Sequence, residues 1–453
     1  MTDTSQRALL KLFAPLAISG IFFPLARPIV NAAIARADNP EIGLAAYSVA
    51  FSLTIPLLSP LFGLRQIVTS LAVDQDMIRK LGSVTLTLAA LATVPLTIVA
   101  IPSVYLWVAR NIVGVPDEIA LVGPPIMLVL ITAPIISVAR GYYQGILVKY
   151  GQANAIGYGA FFYLVFSVTI AFPMIIWLGM EGGLSAVVAF TVASVAYAFI
   201  VWVPYRRVLR ERIPERDEAV PDEDRNQRAI YRQYYPLAVS SILMATVEPL
   251  IQTAIARSPG SQTALAAYPV LISLTWLSRV HLWNAQQLVI ARVESWSNYL
   301  DVRRFITLTT LITTAMLGCL MIPAVSEWIF GTLIGLGGPV KDLAVLGFPI
   351  AFTIPALQAV RSFYYGTLIT KSGSQGIQTA AFVRIVVLVA SLAAGVTLLE
   401  FNGLILALLA TILVLGLQVI CMYVYLYLLL AGLSSASRSV SDTCICIYKI
   451  YMI

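Results

Sequence analysis

The sequence predicts an all-α, polytopic membrane protein of twelve transmembrane helices, six in each of two pseudo-symmetric lobes. Composition, a train of long apolar stretches and an internal repeat predict it. The 453-residue chain is 59% hydrophobic and only 11% charged, whereas soluble domains carry roughly 25% charged residues. Apolar stretches of about 20 residues recur along it, each long enough to cross roughly 30 Å of hydrocarbon. The chain also repeats itself at one offset of 221 residues. Pro15-Leu16-Ala17 recurs as Pro236-Leu237-Ala238, Ile34-Ala35-Arg36 as Ile255-Ala256-Arg257, and Leu44-Ala45-Ala46-Tyr47 as Leu265-Ala266-Ala267-Tyr268. Pro102, Trp107, Pro134, Arg140, Gly145 and Gly182 match Pro323, Trp328, Pro355, Arg361, Gly366 and Gly403. One ungapped offset means a duplicated unit, and in a chain this apolar it is the layout of a transporter built from two parallel bundles.

In order, the spans fall near 9–33, 43–70, 81–109, 119–147, 153–178 and 184–205, then 231–254, 264–292, 303–331, 342–369, 376–399 and 403–431. The first lobe is thus 1–205 and the second 230–433. Between them, 206–229 mixes Arg with Asp and Glu and contains Pro214 and Pro221, which reads as a flexible linker. The tail 434–453 has no counterpart in the repeat. The first apolar stretch is too long for a cleavable signal peptide and lacks a small-residue cleavage site.

Orientation follows from loop cations. With the N-terminus inside, 19 of the 29 Lys and Arg lie in cytoplasmic segments, against four (Arg36, Arg110, Arg257 and Lys341) on the opposite side. Both termini are expected to be cytoplasmic, in a bacterial inner or a plasma membrane. The linker's basic residues fit an anionic lipid surface and need no nucleic acid. Cys319 and Cys421 sit in apolar spans, Cys444 and Cys446 in the tail, giving neither a disulfide framework nor a zinc site. One histidine, no P-loop, no dinucleotide fingerprint and no metal-ligand cluster argue against an enzyme, a cofactor or nucleotide-driven transport.

Six arginines remain in or near the spans: Arg27, Arg65, Arg140, Arg279, Arg361 and Arg384. A charge facing lipid at mid-depth costs a few kcal/mol or more, so such residues face a cavity or a partner. Against them stands one clear intramembrane carboxylate, Glu248, with Glu294 nearer a helix end. A net positive interior points to an anionic cargo. Arg279 lies about 15 residues into helix 8, near the midplane, followed by His281, Asn284, Gln286 and Gln287. Arg279, Trp283 and Gln286 form one helical stripe that suits carboxylate or phosphate oxygens beside an apolar wall, or else a polar seam between helices. Arg140 and Arg361 are equivalent, lie towards the cytoplasmic face, and suit either a shared structural role or substrate contact. Arg384, in the inner half of helix 11, is open in the same way.

Helices 1 and 7 carry the sharpest constellation. Arg27-Pro28 and Glu248-Pro249 are equivalent, as are Asn31 and Gln252, each amide four residues beyond its charge. The matched prolines favour a bend at one depth in both copies. Opposite charges at symmetric positions suggest that Arg27 pairs with Glu248, either as a gate that an anion or a proton opens or as a static tie between lobes.

Arg27-Pro28-Ile29-Val30-Asn31, the Leu-Ala-Ala-Tyr segment, Val360-Arg361 with Gly366, and the Val383–Leu392 run resemble the progressive ankylosis proteins, over most of the twelve helices. These belong to the multidrug/oligosaccharidyl-lipid/polysaccharide (MOP) exporters. The resemblance implies two six-helix lobes in a V around a central cavity, rocker-switch alternating access, and citrate, nucleotide triphosphate or pyrophosphate as cargo. In the family pattern the Arg-Pro-Ile-Val-Asn run belongs to the second copy and an acidic residue to the first, the reverse of this chain.

The expected function is export of small organic or phosphorylated anions by a monomeric alternating-access transporter, with a proton or Na+ as possible coupling ion. Arg27, Asn31, Arg65, Arg279, His281, Asn284 and Arg384 are the expected substrate-binding residues, Glu248 and Gln252 the coupling or gate residues, and Arg140 and Arg361 cytoplasmic-side cavity or structural residues. The rivals are a cation-coupled multidrug exporter and a flippase for lipid-linked oligosaccharides of the same fold. An integral-membrane enzyme finds only Asp74 with Asp76 and Asp117 with Glu118, which read as solvated loop acids.

Overall fold

The computed structural model describes residues 5–152, 154–215, 227–293, 296–370, 374–398 and 401–436. Among them every regular element is helical. Twelve helical units run back and forth: α1 (Gln6–Ile34), α2 (Pro40–Leu58, turning through Ser59–Gly63 into Leu64–Leu71), α3 (Gln75–Ala100), α4 (Asp117–Leu130 and Ala133–Lys149), α5 (Asn154–Ile176) and α6 (Gly182–Glu211). The second copy is α7 (Gln227–Ala245 and Val247–Ala256), α8 (Ser261–Arg292), α9 (Trp296–Gly318), α10 (Gly338–Ala351 and Ile354–Thr370), α11 (Ser374–Thr397) and α12 (Gly403–Ala436). Nine are long and apolar enough to span a membrane alone, the bent α4 makes a tenth, and α1 and α7 carry shorter apolar stretches, Gly20–Ile34 and Ser241–Ala256. Large apolar side chains such as Leu86, Leu91, Phe199, Leu311, Phe382 and Leu428 point outward, as lipid as solvent allows.

Two faces result: a linker face, where α6 ends and α7 begins, and a far face, where α1 turns into α2 and α7 into α8. The repeat is visible in the backbone. The helix breaks at 131–132 in α4 and 352–353 in α10 are 221 residues apart, each just before a proline, Pro134 or Pro355; α4 bends there by 41°. Glycine contacts repeat too. A Cβ on Gly145 would lie 2.7 Å from Val68 Cβ, and one on Gly366 2.8 Å from Val289 Cβ, so both copies need glycine for α4 to meet α2 and α10 to meet α8.

The structure corrects several boundaries. The spans expected at 81–109 and 303–331 end early, at Ala100 and Gly318. Pro102 and Pro323 force the preceding Ile101 and Ile322 out of the helical region, to ψ 124° and 122°. Each proline then opens a short helix, Pro102–Trp107 or Pro323–Ser326, that runs into a widened π-helical turn, Val108–Val113 or Glu327–Leu333. The expected linker is shortened because α6 continues to Glu211. The bend expected at both matched prolines is a break only in α7, at Thr246, where the ring of Pro249 meets the carbonyl of residue 245. α1 runs unbroken through Pro28, packed between α5 and α8. Glu294 and residues 437–453, with Cys444 and Cys446, lie outside the described residues.

The copies interlock through their first helices. The start of α1 packs on the second copy, where Leu9 and Phe13 join Leu288, Val289 and Phe305 in one cluster, Phe13 meets Phe305 edge-on at 5.5 Å, and Gln6 donates to the Asp301 carbonyl at 3.1 Å. The start of α7 packs on the first copy, where Ile230 and Tyr234 join Leu58, Leu61 and Val84 and the Tyr234 hydroxyl donates to the Pro60 carbonyl.

Candidate functional site: a central cavity, a far-face seal and two arginine pockets

Between the copies lies a small polar cavity lined by Arg27, Asn31, Tyr47, Ser48, Phe51, Glu248, Pro269, Ile272 and Ser273. Its volume of about 30 Å³ is room for one or two waters. Arg27 and Glu248 face this space, within coulombic reach of each other. The direct ion pair expected from the sequence is not formed: the Arg27 guanidinium stacks over Phe51 at 4.3 Å, and Glu248 Oε2 accepts from the Tyr268 hydroxyl at 3.3 Å. Each charge is held by an aromatic residue on α2 or α8.

Above the cavity, towards the far face, the two amides cross between copies. Asn31 Nδ2 donates to the Pro269 carbonyl at 3.1 Å and to Ser273 Oγ at 3.2 Å; Gln252 Nε2 donates to Ser48 Oγ at 2.6 Å. Positions 48 and 269 are themselves 221 apart, so α1 reaches α8 as α7 reaches α2. Both amides are buried, at 2% and 0% exposure, and their oxygens have no partner.

A second rung lies nine residues beyond Arg27, roughly 13 Å along the helix. Arg36 reaches the second copy, donating from Nη2 to the Thr332 and Leu333 carbonyls at 3.1 and 2.8 Å and from Nη1 to Ile334 at 2.8 Å. Its equivalent, Arg257, donates from Nη2 to the Asn111 and Ile112 carbonyls of the first copy at 3.3 and 2.6 Å. Each arginine thus caps the partnerless carbonyl end of the other copy's π turn, the end that carries partial negative charge. Gly114 and Gly335 follow those turns with φ of 88° and 85°. Besides the left-handed backbone, a Cβ there would lie 3.0 Å from Arg257 Cγ or 3.2 Å from Arg36 Nη1. Thr263 adds a third crossing, donating to Glu41 Oε1 at 2.7 Å. The far face is closed. Sequence reasoning placed Arg36 and Arg257 among loop cations; their matched positions in the repeat were the available signal.

Within each copy an arginine of the second bent helix lies in a pocket. In the first, Arg140 stacks over Phe23 at 5.0 Å and Tyr197 at 5.5 Å, and Tyr163 completes the wall, its ring 4.5 Å from Phe23 and 6.4 Å from Tyr197. In the second, Arg361 is 6% exposed and its Nε donates to Gln418 Oε1 at 3.0 Å. The 221 offset places Arg384 where the first copy has Tyr163, Gln418 where it has Tyr197, and Arg279 where it has Leu58. Arg279, Arg361 and Arg384 lie within coulombic reach of one another. Arg279 also stacks over Trp276 at 4.8 Å. Among the described residues no carboxylate makes a salt bridge to Arg27, Arg140, Arg279 or Arg384.

Of the remaining expected residues, Arg65, on the last segment of α2, is exposed and within coulombic reach of Tyr197 beside Arg140. The His281 ring shares a 2.8 Å hydrogen bond with Thr313 Oγ1 and so ties α8 to α9. The side chain of Asn284 lies outside the described residues. Among the described residues no His, Cys, Asp or Glu cluster could hold a metal ion.

No protein-family model matches the chain, and no curated protein matches it in sequence. Solved structures do. An inward-facing multidrug resistance MATE family transporter of the MOP superfamily superposes with a TM-score of 0.65 at 15% identity, over 91% of this chain and 98% of that one. An outward-facing one gives 0.59 at 14%, over 97% and 98%. A MOP superfamily transporter from Pyrococcus furiosus, described as having a binding pocket of reversed polarity that suggests a different function, gives 0.61 at 14%, again over 97% and 98%. The fold is the twelve-helix fold of MATE-type transporters of the MOP superfamily.

Proposed function

We propose that this protein is an integral membrane transporter that carries small organic or phosphorylated anions, of the citrate, nucleotide or pyrophosphate kind, by alternating access. The observation that carries the reading is the charge of the interior: Arg27, Arg140, Arg279, Arg361 and Arg384 against Glu248. Among the described residues Arg27, Arg140, Arg279 and Arg384 make no salt bridge to a carboxylate; charges so placed in an apolar interior are costly, and an anionic cargo supplies the missing charge. The resemblance to progressive ankylosis proteins supports the same cargo class. Loop cations support termini on the cytoplasmic side, with the far face outside. Glu248, facing the central cavity, is the coupling residue in this reading, by exchange of a proton or Na+.

A second reading, cation-coupled multidrug export, draws support from the multidrug transporters that share the fold. One experiment separates the two. Purified protein in liposomes is offered citrate, ATP, pyrophosphate and a cationic dye, with and without a pH gradient. Saturable uptake of an anion, and none of the dye, is expected. Dye transport without any anion response overturns the proposal.

A further inference from the structure

Three side-chain nitrogens in the second copy are shielded from solvent and have no hydrogen-bond partner: Arg279 Nε on α8, Arg384 Nε on α11 and Gln418 Nε2 on α12. All three are donors. A buried N–H without an acceptor forfeits about 1–3 kcal/mol, more when charged. Three of them together, beside Arg361, call for an acceptor-rich partner, and the first copy shows that the fold does not require this arrangement. There the same positions hold Leu58, Tyr163 and Tyr197, and the Tyr197 ring, with Tyr163 beside it, packs against a single arginine. Gln418 is fully buried, and its oxygen is already committed to Arg361, which leaves its amide nitrogen without an acceptor.

From this geometry we infer that Arg279, Arg361, Arg384 and Gln418 form a binding site for one phosphoryl group, as in pyrophosphate or a nucleotide's terminal phosphate. The site lies inside the second copy, apart from the cavity between copies. The inference rests on the anion reading above and makes it specific. Donors on four helices, α8, α10, α11 and α12, suit a tetrahedral oxyanion better than a planar carboxylate.

The test uses the full chain in lipid nanodiscs, with binding of pyrophosphate, citrate and chloride followed by calorimetry and by thermal melting. The double variant Arg384→Tyr/Gln418→Tyr writes the first copy's wall into the second and is expected to weaken pyrophosphate binding at least about hundredfold, since charge-assisted hydrogen bonds are lost. Arg384→Gln, a smaller change, is expected to weaken it about tenfold while raising the melting temperature of the ligand-free protein, because a buried unpaired charge is gone. Should the double variant not fold, Arg384→Gln decides alone. Unchanged pyrophosphate affinity, or a fall in melting temperature with Arg384→Gln, overturns the site. Citrate bound more tightly than pyrophosphate overturns the phosphoryl assignment. If the variants lose pyrophosphate binding but the wild-type protein moves no anion in liposomes, the site stands and the transport reading falls. Anion uptake that is indifferent to the variants is the converse.

Discussion

Arg36 and Arg257 sit 221 residues apart and do the same thing, each closing the other copy's π turn at the far face. Leu58 and Arg279 sit at the same offset and share neither charge nor size. The seal is symmetric and the interior is not. The matched contacts hold the two copies together at the far face. At mid-depth the copies differ, and the second carries Arg279, Arg384 and Gln418 where the first has Leu58, Tyr163 and Tyr197.

The largest expected effect lies where the symmetric frame is tightest. A Cβ on Gly403 would meet backbone, Ile255 Cα and O at 2.9 Å, whereas one on Gly182 would meet the Ile34 Cγ2 methyl at 2.8 Å and backbone, Ile34 Cα, only at 3.3 Å. Side chains shift more cheaply than backbone. Gly403→Ala is therefore expected to destabilise by about 2–3 kcal/mol and Gly182→Ala by about 1 kcal/mol, read from thermal melting in detergent. Equal costs would mean that the frame is more symmetric than its contacts.

Next comes the seal. Arg36 makes three hydrogen bonds across the interface and Arg257 two. Spin labels at Ser103→Cys and Ala324→Cys, on the far-face helices and with the native cysteines replaced, report its opening by distance measurement. Arg36→Gln is expected to shift the closed-to-open ratio about tenfold, Arg257→Gln about threefold, and the two together by the product. An unmoved distance distribution in the double variant would strip the seal of its role.

These two comparisons show what the sequence made legible. The repeat offset located the glycines, the prolines and the paired arginines, because those residues are read from identity alone. Helix ends were less legible. Pro102 and Pro323 lie inside runs apolar enough to span, and only the backbone shows that each run stops at its proline. Arg279 and Arg361 were singled out because a charge in an apolar stretch is conspicuous. Gln418 was missed because it is neutral, although it is the sole amide in the 34-residue α12. Arg65 and His281 drew attention by the same rule as Arg279, and the structure places one at the surface and the other in a seam between helices. What a polar residue touches depends on helix rotation, and in helices apolar all round the pattern does not fix rotation.

The smallest effect tests whether symmetry of contact matters without symmetry of residue. In the first copy the π turn is tied to the start of α4 by Arg110 and Asp117, at 2.7 Å. In the second it is tied to the start of α10 by Glu327 and Lys341, at 2.8 Å. The elements correspond, but the positions do not, and the charges are reversed. Asp117 and Glu327 are 73% and 63% exposed, so water and salt screen both pairs. Asp117→Asn and Glu327→Gln should each change stability by less than about 0.5 kcal/mol, with no change in the far-face distance. A shift in that distance from either variant would mean that the π turns are positioned by these surface ties and not by the arginines that cap them.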